Sequence, residues 1–513
     1  MKKIKHIFLL TLLAGFTACD VNNELDEIPA DVVIYEDATS GAADFSNYVA
    51  LGASFTAGFS DGSLFLAAQS QSFPSIISQK MASMGGGNFA QPLVNDNAGG
   101  LLLFGQQISN PRLYFDGAGL ALVQEAPTTE VSDVLTGSFN NMGVPGAKSF
   151  HLLSPGYGNL ANVPLGLANP YFVRMASSPS ATILEDAASQ GASFFTIFGI
   201  GGNDVLGYAT SGGSGTVQTG NPDPSTYGPN DITDPTLFAG VFTNIVQAMT
   251  ANGAKGAVVT VPSIVNLPYF TTVPYNAVPL DQATADLLNA GYAAYNGGLQ
   301  AAFAALTGTG LFTEEELNKR TINFTAGSNA VVIIDEDLTD LGAINPAFAG
   351  IPQYRQATAD DFLVLTSSSF IGTTVGGNPT LINGLSVPLA DNWVLTPEEQ
   401  SNIQTATDAY NAAITSIGNA NGLAVVDLDG LLSEAATSGT QFDDFTMTTT
   451  LVFGGMVSLD GIHLTTRGYA LIAKKILEGI DATYGSNFGA SGNMPRANDY
   501  PTNYPKEIDV DVD

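Results

Sequence analysis

The sequence predicts an α/β protein built on a mainly parallel sheet. Three observations carry that expectation. Tyr48-Val-Ala-Leu51 and Phe194-Phe-Thr-Ile-Phe198 are short apolar runs, each closed by glycine, which is how strands covered on both faces read. Pro235 to Asn252 has apolar residues at helical spacing, and Gly256-Ala-Val-Val-Thr-Val-Pro262 follows it as a strand, the alternation of βαβ units. The 513 residues allow two or three domains of average size, or equally one α/β domain carrying insertions.

Met1-Lys-Lys-Ile-Lys5 is a basic start, and Ile7 to Ala14 is an apolar run too short to span a bilayer. With Phe16-Thr-Ala-Cys19 closing it, residues 1–18 resemble a bacterial lipoprotein signal peptide that leaves Cys19 as the lipidated first residue. Phe16 departs from the usual leucine, and the other reading is an ordinary secretion signal with an incidental cysteine. Cys19 is the one cysteine of the chain, so no intramolecular disulfide can form. The resemblance implies a cell-envelope protein, an outer-membrane lipoprotein facing the periplasm or the exterior, held to the membrane through Cys19 alone.

The formal charge is −32, and removing Lys2, Lys3 and Lys5 with the leader takes it to −35. That balance argues against nucleic-acid partners and against electrostatic docking on anionic lipid. Residues 19–41 hold seven acids without hydrophobic periodicity (Asp20, Glu24, Asp26, Glu27, Asp31, Glu36 and Asp37) and read as an acidic tether.

The folded region is expected over 42–485. After Tyr48–Leu51, Gly52 breaks the strand and Ser54 sits in a small-residue turn. That is the carboxyl end of a strand, where open α/β sheets place ligands. Ser72 to Ala82 reads as a helix with Pro74 in its first turn, and Ala181 to Ala188 as another. Residues 207–235 lack hydrophobic period and are expected to be a long loop, an insertion directly after Asn203 and so a candidate rim or lid. Asp281 to Leu299 and Pro397 to Ile417 read as two helices sharing the signature Ala-Tyr-Asn, at Ala294–Asn296 and Ala409–Asn411. Between them, 305–395 carries short strands at Val331–Ile334 and Phe362–Leu365 and is expected to be an insertion. Leu423 to Leu428 is a last core strand. Tyr469, Ile472, Ala473, Ile476 and Ile480 recur at helical spacing behind the loop Ser458 to Thr465. Residues 486–513 are expected as an extended acidic tail.

Four motifs carry the chemistry: Gly52-Ala-Ser-Phe55, Asn141-Met-Gly-Val-Pro-Gly146, Gly201-Gly-Asn-Asp204 and Asp460-Gly-Ile-His463. Each alone is a common turn. In this order the four resemble the blocks of the SGNH (GDSL-type) hydrolase family, over roughly Asn47 to Ile480. The resemblance implies a three-layer α/β/α, flavodoxin-like core and a serine esterase or acylhydrolase that acts through an acyl-enzyme, with no cofactor. Its substrate would be an ester, an acyl lipid or an acylated glycan.

A serine hydroxyl is a poor nucleophile until a base takes its proton. Beyond the leader only His151 and His463 can serve, and Asp460 lies three residues before His463, close enough to orient that ring. Ser54 as nucleophile, His463 as base and Asp460 as its orienting acid form the expected triad. The family pattern implies oxyanion donors at the Ser54 and Gly146 backbone N–H groups and the Asn203 side-chain amide, with Gly143 as the alternative glycine. His151 is a candidate for lining the pocket, Asp204 for capping the following helix. No His/Cys cluster has metal-ligand spacing, and the acids show no calcium-loop spacing. Ala53 stands where the family's first block usually has Asp, which keeps open a relative that binds or assembles without turnover.

Overall fold

The computed structural model describes residues 35–508. The chain divides into two units, residues 1–37 and 38–513, and of the first only Tyr35 to Asp37 are described. The expected leader, Cys19 and most of the acidic stretch 19–41 therefore lie outside the described residues.

In the second unit five parallel strands form one sheet: β1 (Tyr48–Gly52), β2 (Asn141–Gly143), β3 (Phe194–Phe198), β4 (Lys255–Val259) and β5 (Ala424–Val426). Their spatial order is 5-4-3-1-2. The chain leaves β1 outward to β2, then crosses back to lay β3, β4 and β5 on the other side. The reversal puts a crevice at the carboxyl ends of β1 and β3, where doubly wound sheets take their ligands. β2 was legible only as a motif turn, because three residues are too few to show a strand pattern.

The helices that position the site are α1 (Ser54–Ala57), α2 (Phe73–Met81), α3 (Ile183–Ala188), α4 (Asn203–Thr210) and α5 (Pro235–Thr250). After them come α6 (Gln282–Leu306), α7 (Pro397–Ala420), α8 (Leu428–Thr437) and α9 (Thr466–Tyr484). Alternation along the strands sorts them into two layers. Val49, Leu51, Phe195, Ile197 and Val258 pack with α3, α5 and α7. Tyr48, Ala50, Phe194, Phe198 and Val259 pack with α2, α8 and α9 on the other face. Burying each of the three β3 phenylalanines stabilises the sheet by roughly 1.5–3 kcal/mol.

Starts follow local chemistry. Asp234 caps α5 by accepting from Leu237 N at 2.8 Å, with Pro235 in the first turn. Thr182 and Glu185 form a capping box on α3, as Thr396 and Glu399 do on α7.

The Ala-Tyr-Asn signature has a structural meaning. On α7, Asn411 Oδ1 accepts from Val261 N at 2.7 Å and its Nδ2 donates to Val261 O at 2.9 Å. On α6, Asn296 makes the same two bonds with Ile322 N and O, at 3.0 and 2.8 Å. Each preceding tyrosine, Tyr410 and Tyr295, donates its hydroxyl to a backbone carbonyl, of Thr233 and Tyr354. The signature staples a helix to an extended segment, yet the two helices serve different places. α7 lies on the sheet, whereas the apolar face of α6 packs on Ile322, Phe324, Phe312 and Leu341. The insertion thus starts well before residue 305, and α6 is its first long element. Its centre holds a buried ion pair set, with Arg355 between Asp335 and Asp361.

Residues 207–210 complete α4, and the rest of the expected loop is ordered by a carboxylate. Asp231 accepts from Thr216 N, Gly228 N and Gln218 Nε2, while Lys148 Nζ donates to Asp231 O at 2.7 Å. The end of the acidic tether is also docked: Thr39 N donates to Asn487 Oδ1 at 2.8 Å and Ala42 N to Tyr484 O. Residues 486–508 run against the core instead of standing off it. Phe488 and Ala497 are fully buried, Tyr504 meets Phe65 edge to face, and Arg112 Nη2 donates to Pro505 O at 2.7 Å.

Removing either staple leaves a buried backbone N–H and C=O without partners. Asn411→Ala and Asn296→Ala are each expected to cost about 1–3 kcal/mol, read as a lowered melting temperature. An unchanged melting temperature would show that water replaces the amide at no loss.

Candidate active site

Gly52 ends β1 because nothing larger fits: a Cβ there would lie 1.9 Å from Phe198 O. That close approach ties the next turn to the end of β3. Ala53 N donates to Phe198 O at 3.4 Å and Thr56 Oγ1 to the same oxygen at 2.8 Å. Asn141 Nδ2 on β2 donates to Thr56 O at 3.0 Å. Ser54, the first residue of α1, is thereby fixed at the β1/β3 crevice by ties to both neighbouring strands.

The loop before α9 brings the second half. Ser458 N donates to His463 O at 2.7 Å, closing a tight turn in which Gly461 has φ +75°. Inside it, Asp460 accepts five hydrogen bonds. Oδ1 takes Ser458 Oγ, Ile462 N and His463 N at 3.1, 2.9 and 2.8 Å; Oδ2 takes Gly62 N and His463 Nδ1 at 2.9 and 2.8 Å. Burial alone would raise this carboxyl. The His463 ring and the donated bonds outweigh it and hold Asp460 well below the usual carboxylate range. With the proton on Nδ1 facing Asp460, Nε2 is the free lone pair, and it lies 2.9 Å from Ser54 Oγ. Phe59 flanks the imidazole with ring centroids 4.6 Å apart.

Around Ser54 stand three candidate donors. The turn 144–147 is held between Val144 N, which donates to Gly52 O at 3.0 Å, and Asn203 Nδ2, which donates to Ala147 O at 2.9 Å. Within it Gly146 has φ +80°, a left-handed conformation suited to glycine, and its N–H has no acceptor among the described residues. Asn203 uses one amide hydrogen on Ala147 and keeps the other. Gly143 is otherwise engaged: its N–H donates to Asn141 Oδ1 at 3.0 Å, and a Cβ would meet Ala57 N at 2.3 Å. It is a packing glycine.

Two candidates from the sequence stand elsewhere. His151 stacks on Tyr157 at 4.4 Å, its Nδ1 accepts from Lys148 N at 3.1 Å, and it lines no part of the cavity at Ser54. Burial, then the nearby Lys148 charge, lowers it to about 4, so it is a neutral packing residue. Asp204 does not cap α4; its carboxylate accepts from Ser149 N and Oγ at 2.9 and 2.7 Å, tying the helix to the 149–153 turn.

The turn Ser60–Ser63 was missed, although Asp61-Gly62 is a turn dipeptide only seven residues past Ser54. Gly62 N is a donor to Asp460, Asp61 N donates to Ser458 Oγ at 3.0 Å, Asp61 Oδ1 accepts from Leu459 N at 3.0 Å, and Ser60 Oγ donates to Leu464 O at 3.0 Å. Burial, with the Asp460 charge adding to it, pushes the Asp61 carboxyl up to about 7. Away from Ser54, Glu336, Asp391 and Glu399 can bring one oxygen each to within 4.8 Å of one another, the closest approach to a metal-holding group among the described residues.

Two cavities meet this site. A small one of about 30 Å³ touches Ser54, Gly202, Asn203 and His463 and is walled by Leu206, Val261, Ile264 and Leu267. Residues 207–235, expected as a loop and a candidate rim or lid, supply none of its lining. A wide cleft of about 970 Å³ reaches Asp460 and is lined by Leu113, Leu120, Tyr269, Val273, Leu365 and Ile371 among others. Comparisons of the chain with protein-family models, with curated proteins and with solved structures each found no match.

The raised Asp61 carboxyl fixes the sign of a pH effect. Between about pH 4 and 7 the folded chain keeps a proton that the unfolded chain has lost, so this group lowers stability as pH rises through that window. Asp61→Asn, which tolerates the observed φ of +52°, removes the titrating carboxyl. From pH 5 to pH 8 the variant is expected to gain on the wild type by an amount on the order of 3 kcal/mol, read as a growing difference in melting temperature. A difference constant with pH would assign the turn's stability to other groups.

Proposed function

We propose that the chain is a serine ester hydrolase of the SGNH (GDSL-type) kind on a flavodoxin-like α/β/α core, acting in the bacterial cell envelope and anchored by lipid on Cys19. The observation that carries this reading is the unbroken hydrogen-bond chain from Asp460 through His463 to Ser54. Its members come from opposite ends of the fold and meet at the sheet's ligand-binding crevice.

In this reading His463 Nε2 takes the Ser54 proton as Oγ attacks the ester carbonyl, and Asp460 stabilises the resulting imidazolium. The carbonyl oxygen gains negative charge facing the Ser54 and Gly146 N–H groups and the spare hydrogen of Asn203. The C–O bond to the alcohol breaks, and that oxygen leaves with the proton from His463. Water then repeats the cycle on the acyl-Ser54 ester and releases the acid. The Ala53 substitution favours a second reading, an SGNH-like module that binds or assembles without turnover. Against it, the bonds from Ala53, Thr56 and Asn141 hold the nucleophile turn without a residue-53 carboxylate.

Wild type is expected to cleave p-nitrophenyl acetate and to take a fluorophosphonate label on Ser54. Ser54→Ala is expected to lose both, and Asn203→Ala to lower kcat by about 10²–10³-fold. Equal ester cleavage by wild type and Ser54→Ala would sink the enzyme reading, and a stable fold without turnover would favour the binding module.

A further inference from the structure

We infer, independently of the esterase reading, that Glu336, Asp391 and Glu399 form a site for one hard divalent cation, calcium by class, which ties the insertion to the core. Each residue can bring one carboxylate oxygen to within 4.8 Å of the other two. Calcium holds its oxygens at about 2.3–2.6 Å, so two ligands on one ion can lie up to about 5 Å apart. The three oxygens can therefore share one ion with little movement.

The acids come from three segments. Glu336 lies two residues past the insertion strand Val332–Ile334, and Asp391 opens the turn Asp391–Trp393 that leads into the strand Val394–Leu395. Glu399 is in the first turn of α7, which lies on the core sheet. Because the three are far apart along the chain, no loop spacing announces them in the sequence.

Carboxylates gathered at a surface are not in themselves a site. Glu399 is what points to a ligand: it is 3% exposed, its Oε2 accepts from Thr396 N at 2.6 Å, and its Oε1 is buried without a hydrogen-bond partner. A buried carboxylate oxygen with no donor is costly. The neighbouring backbone does not fill it. Gly213, at φ +76°, lies so close that a Cβ would collide with Glu399 Oε1, yet its N–H is spent on Tyr208 O at 2.9 Å. A Cβ on Gly212 would likewise collide with Asp391 O.

The group also lacks a counter-charge. Among the described residues no lysine, arginine or histidine forms an ion pair with any of the three acids. Burial first, then the neighbouring carboxylates, pushes Asp391 up to about 7 and Glu399 up to about 8. A divalent cation supplies the missing charge and a partner for Oε1 together. The donors are all oxygen, which suits calcium or magnesium and not a thiophilic metal. Glu336 is exposed and Asp391 half-buried, so water can complete calcium's large and flexible shell. The bound ion braces the far end of α4, whose first residue, Asn203, borders the small cavity at Ser54.

The test uses the whole chain and terbium(III) as a luminescent stand-in for calcium. Trp393, the one tryptophan, is two residues past Asp391, so terbium bound there is expected to emit when excited through tryptophan. Calcium is expected to displace it with a Kd of about 10⁻⁴–10⁻³ M, and magnesium at least about tenfold less well. Calcium is also expected to raise the melting temperature by about 2–4 °C. Glu336→Gln, Asp391→Asn and Glu399→Gln are each expected to weaken calcium at least about tenfold and to remove the melting shift. The glutamine at 399 can still fill the capping box, and Glu336 is exposed, so these variants keep the fold. Glu434→Gln, an exposed acid on α8, is expected to change neither readout. Absence of sensitised emission, a melting temperature indifferent to calcium, or equal calcium affinity in wild type and the Glu336→Gln/Asp391→Asn double variant overturns the inference. None of these readouts involves Ser54, so ester hydrolysis stands or falls separately.

Discussion

One carboxylate organises the site. Asp460 takes donors from its own loop, from the His463 ring and from the Gly62 backbone, and so joins chain segments almost 400 residues apart. Burying a charge in that way is costly unless its lone pairs are filled, and here five donors fill them. The consequence is geometric. A carboxylate held by backbone N–H groups cannot rotate, so the imidazole it orients cannot either, and His463 Nε2 stays on Ser54 Oγ. α9 starts directly behind, with Thr465 Oγ1 accepting from Gly468 N at 2.9 Å, so the histidine loop is braced by a buried helix.

The same economy explains how alanine is accommodated at position 53. A turn that carries a nucleophile needs to be stiff, and stiffness comes from saturating its backbone and side-chain bonds by whatever route the fold offers. Here Phe198 O collects two donors from the turn, and Asn141 reaches across from β2. The Ser60–Ser63 turn braces the histidine loop from Ser54's own segment, with Asp61 held in a left-handed conformation that side chains seldom adopt. Such a conformation persists only where its surroundings over-determine it. The Leu459 and Ser458 bonds at both ends of Asp61 do so.

Much of this was legible in the sequence, for physical reasons. β1 and β3 are covered on both faces, so they must be apolar runs, and the glycines that end them mark where another backbone comes close. Ser54, Asp460 and His463 could be picked out because histidines are few and Asp460 shares a loop with His463. Illegible were features whose partners lie far along the chain. β2 is three residues long and acquires strand geometry from pairing with β1. α6 and α7 share a signature because both use Asn to staple a backbone, and nothing local says which one sits on the sheet. Residues 207–235 have the composition of a free loop, yet one carboxylate, Asp231, gathers three donors and orders the segment. The 486–508 stretch lacks periodicity because its one regular element is the short 3-10 turn Ala497–Asp499, while single aromatics such as Phe488 and Tyr504 anchor it.

The division between core and insertion bears on which segments build each of the two cavities. The groups at Ser54, Asn203 and His463 stand on or beside sheet strands and packed helices, whose positions are set by two large apolar layers. The insertion has separate apolar clusters of its own and its own buried ion pairs about Arg355. It is also joined to the core layer, of which Val364 is a buried member and against which Phe362 and Trp393 pack. It meets the site through the cleft segments at 269–279 and 365–372, on the Asp460 side, and not through the small cavity, whose walls at Val261, Ile264 and Leu267 follow β4 directly. The cleft lining includes Asp460 and none of Ser54, Asn203 or His463, whereas the small cavity is lined by all three. The wall of the small cavity that follows β4 is stapled to α7 by Asn411 and is continuous with the core. That asymmetry makes the small cavity part of the core's own packing, while most of the wide cleft is built from the segments 269–279 and 365–372.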